Sequence, residues 1–282
     1  MNQPLVFENG VHDISNDDYH SSSGISRSAL WKFKRSPLHY WDSYLNPDRL
    51  PSEDTPALIM GNLIHTVVLE PDLFEKRYIV APEINRRTKL GKQEWDDFLN
   101  AAGDRTVITQ EQNDKAFEIA ARCVSNAYFR SLIQGTEIER SIYFTHPATG
   151  IQCKVRPDSW INAVVTDLKT TADASYKGFQ SSAVKYGYFL QAGMINYALK
   201  SIGITLEAFA FAVVETAEPY LTEVYALDDE AILYGTEIFD NIMFSFSVYK
   251  DKYSDSNPEI PWSSGDVKIL QVPRWAEYYE DL

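Results

Sequence analysis

Stretches in which apolar and polar residues alternate predict strands, and stretches in which apolar residues recur every third or fourth position predict helices. The chain opens on a short β-like piece, LVFENGVHDI, followed by the polar run SNDDYHSSS, which predicts a loop. Ser26 then stands as an N-cap for a helix beginning at Arg27. Ala29, Leu30 and Phe33 form its apolar face, with Lys32, Lys34 and Arg35 around the other side. Pro37 ends that helix or opens the next, where Leu38, Tyr40, Trp41 and Tyr44 make an aromatic face. After the loop LNPDRLPSEDTP, the segment PALIMGNLIHTVVLEP predicts a helix with Gly61 and His65 one turn apart on one face. A glycine there would let another backbone come close to the histidine. FEKRYIVAP predicts a strand, and INRRTKLGKQEWDDFLNAAGD a loop before a short helix starting near Lys92. Thr109 to Gln134 predicts one helix, opened by a capping box of Thr109 and Gln112.

From residue 138 to 170 the pattern predicts a three-stranded antiparallel meander. TEIERSIYFTH and IQCKVRPDSW are joined by the turn PATG, and AVVTDLKTT is the third strand. Side chains alternate along a strand, so Asp167 and Lys169 share a face and Leu168 points to the other. The segment SWINA would reverse the chain and bring Asp158 beside Asp167. A helix follows from about Val184 to Lys200, ending at Gly203, with Tyr188, Gln191 and Ile195 on one face. EAFAFAVVET and LTEVYALDDE predict further strands, the second leading into the helix DDEAILYGTEIFDNIMFSFSVYKD. The remainder, about 250 to 282, reads as a loop-rich aromatic surface wrap. With no internal repeat and no low-complexity linker, the expectation is one domain over 1–282, carrying a helical elaboration at about 24–100.

Composition narrows the setting. The chain has 17 Tyr, 14 Phe and 6 Trp, ample material for a core, and no apolar run near the ~18 to 20 residues of a membrane span. The start MNQPLVFENG lacks the basic and apolar regions of a signal peptide. Cys123 and Cys153 stand far apart, which argues against zinc or an iron–sulfur cluster and for a reducing compartment. The expected location is cytoplasmic. A net charge of −14 is a poor global match to nucleic acid, whose affinity comes largely from Lys and Arg contacts to phosphate. Contact with DNA would then rest on local basic segments. Arg86, Arg87, Lys89 and Lys92 form the densest one, read either as a DNA-backbone contact or as a solvated loop.

The candidate chemistry lies in CKVRPDSWINAVVTDLKTT, residues 153–171. A single D-x-K tripeptide is ordinarily a solvated strand edge. Here the strand is otherwise apolar, and two charges within it need a reason. Asp158, Asp167 and Lys169 are the parts needed to hold Mg²⁺ and hydrolyse a phosphodiester: hard oxygen ligands for the ion, and a cation to position water and offset charge on the phosphate. His65 reads either as a satisfied core residue or as a ligand, Gln191 and Tyr188 either as the edge of a packed helix or as facing the site. Ser26, Arg27 and Ser28 read either as a capped helix start or as a phosphate contact.

Four motifs in order then resemble a known family: Gly61 to His65 on a helix, R-P-D at Arg156 to Asp158, D-L-K-T-T at Asp167 to Thr171, and Y-x-x-Q at Tyr188 to Gln191. The set is similar to the RecB-like branch of the PD-(D/E)XK nucleases, and within it to the RecE-like (exodeoxyribonuclease VIII-like) exonucleases. The phrases GISRSALWKFKRSPLHY and TGIQCKVRPD add to the likeness, which runs from about residue 19 to 215. The resemblance implies an α/β (α+β) fold with a central mixed sheet flanked by helices. It implies that Asp158, Asp167, the Leu168 carbonyl and His65 bind Mg²⁺, with Mn²⁺ as a substitute, and that Lys169 activates water. Gln191 and Tyr188 would support the site or contact DNA, with Glu139 and Thr170 in lesser supporting roles, while Ser26, Arg27 and Ser28 would grip the DNA end. The substrate implied is linear duplex DNA, digested 5′ to 3′ to leave 3′ tails for recombination. The implied assembly is a homo-oligomeric ring, trimer or tetramer, working with a single-strand annealing protein. A structure-specific or defence endonuclease of the same fold, and a non-catalytic DNA-binding module, are the alternatives. The sequence departs from the family at Ile195, where a tyrosine is common and the nearest is Tyr197, and at Ser36-Pro37, where Cys-Pro often occurs. Cluster-binding cysteines and a G-x-x-x-x-G-K-[ST] motif are absent from the sequence, so neither an iron–sulfur cluster nor ATP is expected.

Overall fold

The computed structural model describes residues 4–50, 54–133, 137–252 and 267–271, so the expected wrap at 250–282 lies almost wholly outside the described residues. Strand β1 (Gly10–His12) leads into helix α1 (Asn16–Ser21), where a loop is predicted. The helix forms because the Ser15 side chain accepts from the Asp18 amide, and Asp17 and Asp18 meet the positive end of the helix dipole. Six residues are too few to show a helical period. β2 (Ile25–Ser26) runs into α2 (Arg27–Arg35), and Ser26 caps it by accepting from the Ala29 amide at 3.3 Å, as predicted. Ser36 caps α3 (Pro37–Tyr44), so Pro37 opens a helix and does not merely close one.

Helix α4 (Pro56–Leu69) matches its prediction. In FEKRYIVAP only the second half is extended: α5 (Phe74–Arg77) precedes β3 (Tyr78–Val80). α6 (Lys89–Ala102) starts three residues before the predicted Lys92, because Thr88 caps it by accepting from the Gly91 amide. β4 (Thr106–Ile108) pairs in parallel with β3. The helix expected over Thr109 to Gln134 is two helices, α7 (Gln110–Ser125) and α8 (Ala127–Ile133). The Thr109–Gln112 capping box opens the first, and the Asn126 side chain, accepting from the Phe129 amide, starts the second.

The predicted meander is divided between two sheets. β5 (Glu137–Ile138), β6 (Ser141–Thr145), β7 (Gln152–Val155), β8 (Ser159–Ile161) and β9 (Val164–Thr171) follow in order. IQCKVRPDSW is not one strand: it breaks at Arg156–Asp158, where Pro157 has no N–H to give a ladder. β7 stays in a four-stranded sheet of order β1-β6-β7-β2. β8 enters a five-stranded sheet with β9, pairing Ser159 with Thr166 and Ile161 with Val164.

After β9 the chain forms α9 (Tyr176–Tyr186) and α10 (Tyr188–Ser201), in place of the single helix predicted from Val184. Gly187 breaks it with a left-handed φ of 71° and presses against the Trp31 ring, where a Cβ would sit 2.6 Å from ring atoms. β10 (Ala208–Glu215) pairs in parallel with β9, β11 (Thr222–Leu227) antiparallel with β10, and α11 (Asp229–Lys252) closes the described fold. The five-stranded order is β11-β10-β9-β8-β5, a mixed sheet flanked by helices, as the resemblance implies.

Both faces of β9 and β10 are buried. Val165, Phe209 and Phe211 pack with Leu190, Met194, Phe239 and Met243 of α10 and α11. Leu168, Ala212 and Val214 pack with Leu63 and Ile64 of α4 and Ile119 of α7. Each such side chain contributes roughly 1.5–3 kcal/mol when fully buried. α10 and α11 meet backbone to backbone, since a Cβ on Gly193 would lie 2.3 Å from the Gly235 carbonyl carbon. No helix among the described residues is long and apolar enough to cross a membrane.

Candidate active site

The break at Arg156–Asp158 and the strand β9 place the charged residues. Asp158 precedes the first paired residue of β8, which sets it opposite Asp167 one step beyond the Ser159–Thr166 pair. Its Oδ2 accepts from the Leu168 amide at 2.7 Å, which ties the two motifs together. The chain reversal predicted for SWINA is therefore present, with Asn162 taking a left-handed φ of 54° at the turn.

Three ligand-type side chains converge on this point. His65 of α4, Glu139 and Asp158 each offer an atom, all within 4.8 Å of one another. His65 Nδ1 lies 3.7 Å from Asp158 Oδ2, too far for a hydrogen bond. Burial, followed by the Lys169 charge, lowers the His65 pKa, so its imidazole is neutral near pH 7, and the Leu168 backbone lies within hydrogen-bonding reach of the ring. Burial and the neighbouring Asp167 raise Asp158 well above the usual carboxylate range. Burial and the charge of Asp158 push Glu139 up to about 7. The sequence makes Glu139 a weaker candidate, for a site or a supporting role, and the structure puts it in the cluster itself. It follows the two-residue strand β5 with a left-handed φ of 53°, a conformation with no sequence signal in a glutamate.

Arg156 sets that conformation. Its Nε donates to Glu139 Oε2 at 2.7 Å, and its Nη1 to the Ser141 hydroxyl at 3.0 Å and the Ile14 carbonyl at 3.1 Å. Glu139 is further fixed by its own amide, which donates to the Asp158 carbonyl. One residue before β7 ends, Lys154 is buried and Nζ donates to the carbonyls of Tyr19 and Ser22 at 2.6 and 2.7 Å. The N-terminal segment therefore holds the strand that leads into the site.

Asp167 is fully buried on β9. It ion-pairs with Lys169, two residues on and on the same face as predicted, and its Oδ1 accepts from Gln191 Nε2 of α10. Lys169 Nζ also stands 4.7 Å above the Tyr188 ring. Gln191 and Tyr188 thus face the site. Among the described residues Gln191 Oε1 is buried with no hydrogen-bond partner, and Asp167 Oδ2 meets the Lys169 ammonium. Thr170 places its hydroxyl against α4, 3.6 Å from where a Cβ on Gly61 would sit. That is ordinary contact with a side chain, so the expectation that Gly61 admits another backbone does not hold.

Ser26, Arg27 and Ser28 line one cavity of about 850 Å³ together with Glu139, Arg156 and Gln191. Arg27 Nη1 donates to the Tyr186 carbonyl at 3.1 Å. Arg86, Arg87 and Lys89 are not brought to the site: they are exposed at the start of α6, and the Arg86 guanidinium packs over the Trp95 ring. At the positions that depart from the family, Ile195 is buried along α10, and Tyr197 donates to Asp240 Oδ1 at 2.7 Å, a contact apart from the carboxylates described above.

The cluster suits a divalent cation. It gathers two carboxylates and a neutral imidazole, holds them close without a hydrogen bond between His65 and Asp158, and keeps both carboxylates at raised pKa through burial and the repulsion of neighbouring carboxylates. The carboxylates are ligands of the kind that Mg²⁺ and Mn²⁺ take, and the imidazole is one that transition metals take.

A family model described as a PDDEXK-like domain of unknown function (DUF3799) matches residues 26–253. A solved structure from Eubacterium rectale, provisionally named an exonuclease, superposes with a TM-score of 0.62, covering 94% of this chain and 98% of that one at 15% identity. At that identity the likeness bears on the fold. An alkaline exonuclease from Laribacter hongkongensis covers 57% of this chain and 82% of its own at 14% identity, with a TM-score of 0.28. A phage-related exonuclease from Haemophilus somnus covers 56% and 85% at 12% identity, with a TM-score of 0.26. Overlap that slight carries no argument for either. No curated protein matches the sequence.

Proposed function

We propose that this chain, which belongs to the PDDEXK-like family matched over residues 26–253, is a Mg²⁺-dependent exodeoxyribonuclease acting on linear double-stranded DNA. The observation that carries the reading is the convergence of His65, Glu139 and Asp158 beside the Asp167–Lys169 pair. Two carboxylates of raised pKa, a neutral histidine and a lysine are the groups that phosphodiester hydrolysis requires at one point.

Asp158, Glu139 and His65 would hold the ion, with Asp167 and the Leu168 carbonyl as further ligands on the strength of the family resemblance. When bound, the ion would polarise the scissile phosphate and lower the pKa of a water beside it. The chain's own groups do the rest. Lys169 Nζ, held between Asp167 and the Tyr188 ring, donates to the attacking water and offsets charge as the P–O bond to the leaving oxygen breaks. Gln191 fixes the Asp167 carboxylate, so the lysine stands on the strand face that meets substrate. Arg156 keeps Glu139 turned inward. Ser26, Arg27 and Ser28 sit across the adjoining cavity, where a terminal phosphate would be received. Digestion from 5′ to 3′ leaving 3′ tails, Mn²⁺ as a substitute, a trimeric or tetrameric ring and a single-strand annealing partner complete the reading on the strength of the family resemblance.

The test is digestion of end-labelled linear duplex and of covalently closed circles, with and without a 5′ phosphate, in Mg²⁺ against EDTA. Mononucleotide release from linear duplex in Mg²⁺, with circles intact, supports the reading. Nicking of closed circles replaces it with an endonuclease. DNA binding without digestion in either Mg²⁺ or Mn²⁺ replaces it with a non-catalytic binding module.

A further inference from the structure

Tyr188, over whose ring Lys169 Nζ stands, lines a second cavity, of about 1190 Å³. Its floor is the end of β9, Thr170 and Thr171, directly after the catalytic lysine. One wall is apolar, from Leu58 and Met60 of α4. The facing wall is aromatic and basic, with Lys185, Tyr186 and Tyr188 at the corner between α9 and α10. The volume exceeds the roughly 300–1,000 Å³ of pockets for drug-sized ligands, so more than one nucleotide can enter.

Tyr186 is 47% exposed, with its ring 6.0 Å from Tyr188 at 31°. The corner is rigid although the ring is open. The Tyr186 carbonyl accepts from Arg27, and Gly187 is wedged on Trp31. Lys185 Nζ stands 5.1 Å from the Tyr186 ring, and Lys115 of α7 lines the opposite side. Neither lysine forms an ion pair among the described residues. Of the two carboxylates in the lining, Glu111 and Asp173, the second accepts from the Ser175 amide and packs on Gly178. The Tyr186 carbonyl is thus tied to Arg27, which lines the other cavity, while the Tyr186 and Tyr188 rings line this one.

We propose that this second cavity seats unpaired nucleotides of a DNA strand, with Tyr186 as the face on which a base stacks and Lys185 and Lys115 as phosphate contacts. An exposed aromatic ring on a pinned backbone loses little conformational freedom when it takes a base. Stacking of that kind is indifferent to base identity, because every base has a π face, and suits an enzyme that must accept any sequence. The apolar wall of Leu58 and Met60 covers the other side of the base. The inference rests on the DNA-hydrolase reading, and adds to it the path of the strand past Lys169.

The experiment measures binding of the full-length protein to a fluorescein-labelled ten-nucleotide oligothymidylate in EDTA, against the same oligonucleotide made abasic. The wild type binds the thymidylate about tenfold more tightly than the abasic strand. Tyr186→Phe keeps that preference. Tyr186→Ala abolishes it, binding both strands alike, while Mn²⁺ binding by paramagnetic resonance and the melting temperature stay unchanged. A Tyr186→Ala protein that still prefers the thymidylate tenfold overturns the proposal, as does a wild type that digests duplex DNA yet does not distinguish the two strands. A wild type that neither binds the oligonucleotide nor digests duplex in Mg²⁺ overturns the DNA reading itself.

Discussion

The His146 cluster and the Glu139–Asp158 cluster both bring a histidine to carboxyl groups, and differ in how their polar atoms are satisfied. His146 is 2% exposed, with Nδ1 3.0 Å from the Thr149 hydroxyl and Nε2 2.9 Å from Asp240 Oδ1. Asp240 also accepts from Tyr197, and Phe239 packs edge-on against the imidazole. Both ring nitrogens are used, and the group clasps the β6–β7 turn to α10 and α11. At the other cluster His65 and Asp158 stand 3.7 Å apart, two carboxylates are forced to raised pKa values, and a glutamine oxygen nearby has no partner among the described residues. Satisfied, a buried polar network stabilises; buried carboxylates crowded on one another cost stability, which a bound cation would offset. That difference sets the structural histidine apart from the one proposed as a ligand, a distinction that residue type alone cannot make.

The largest effect that would break the comparison is at Asp158. Asp158→Asn is expected to lower Mg²⁺-dependent digestion by a factor on the order of 10²–10³. It is also expected to raise the melting temperature of the metal-free protein at pH 8, because a repelled carboxylate is gone. The pH dependence follows from Glu139, held at about 7 in the fold against the usual 4.5. Between those values the folded metal-free protein holds a proton that the unfolded chain releases, so its stability falls as pH rises through that window. Bound Mg²⁺ replaces the proton, so the ion should raise the melting temperature more at pH 8 than at pH 5. Equal stabilisation at both pH values would sink the ligand assignment of Glu139.

An intermediate effect is expected at Arg156, which belongs to neither cluster but serves one. Arg156→Ala should weaken Mn²⁺ binding by roughly 10–100-fold, the range for groups that orient metal ligands. Arg156→Lys should recover little, since a point charge cannot reach Glu139, Ser141 and the Ile14 carbonyl together. Calorimetric titration reads this directly, and unchanged affinity would leave Arg156 a purely structural residue. The smallest effect on chemistry is expected at His146. His146→Ala should cost about 1–3 kcal/mol in urea unfolding by stranding Asp240 and Thr149, with metal affinity intact. A loss of metal affinity there would erase the contrast between the two histidines.

Much of this was legible in the sequence, for identifiable reasons. Strand alternation placed Asp167 and Lys169 on one face, and spacing placed Asp158 opposite, because both are local rules of backbone geometry. Ser26 and Thr109 were readable as caps, since a cap is written in the three residues that follow it. What was not legible depends on distance or on backbone exceptions. Glu139 enters the cluster through a left-handed φ and a bond from Arg156, 17 positions away. The division of the meander needed β8 to prefer β5 and β9 to β7, a competition between sheets that no window of sequence contains. α1 was missed because one turn of helix leaves no period to count.

The parallel pairing of β9 with β10 has a consequence for the protein as it is made. β9 has β8 beside it early, but its other neighbour ends at Glu215 of a 282-residue chain, and Gln191 must arrive before it. On the ribosome, the Asp167 strand therefore waits with one edge bare until Ala208–Glu215 has emerged. The Asp167–Lys169–Gln191 group is thus completed late, whereas Ile14 to Ser22, which holds Arg156 and Lys154, is available to dock long before.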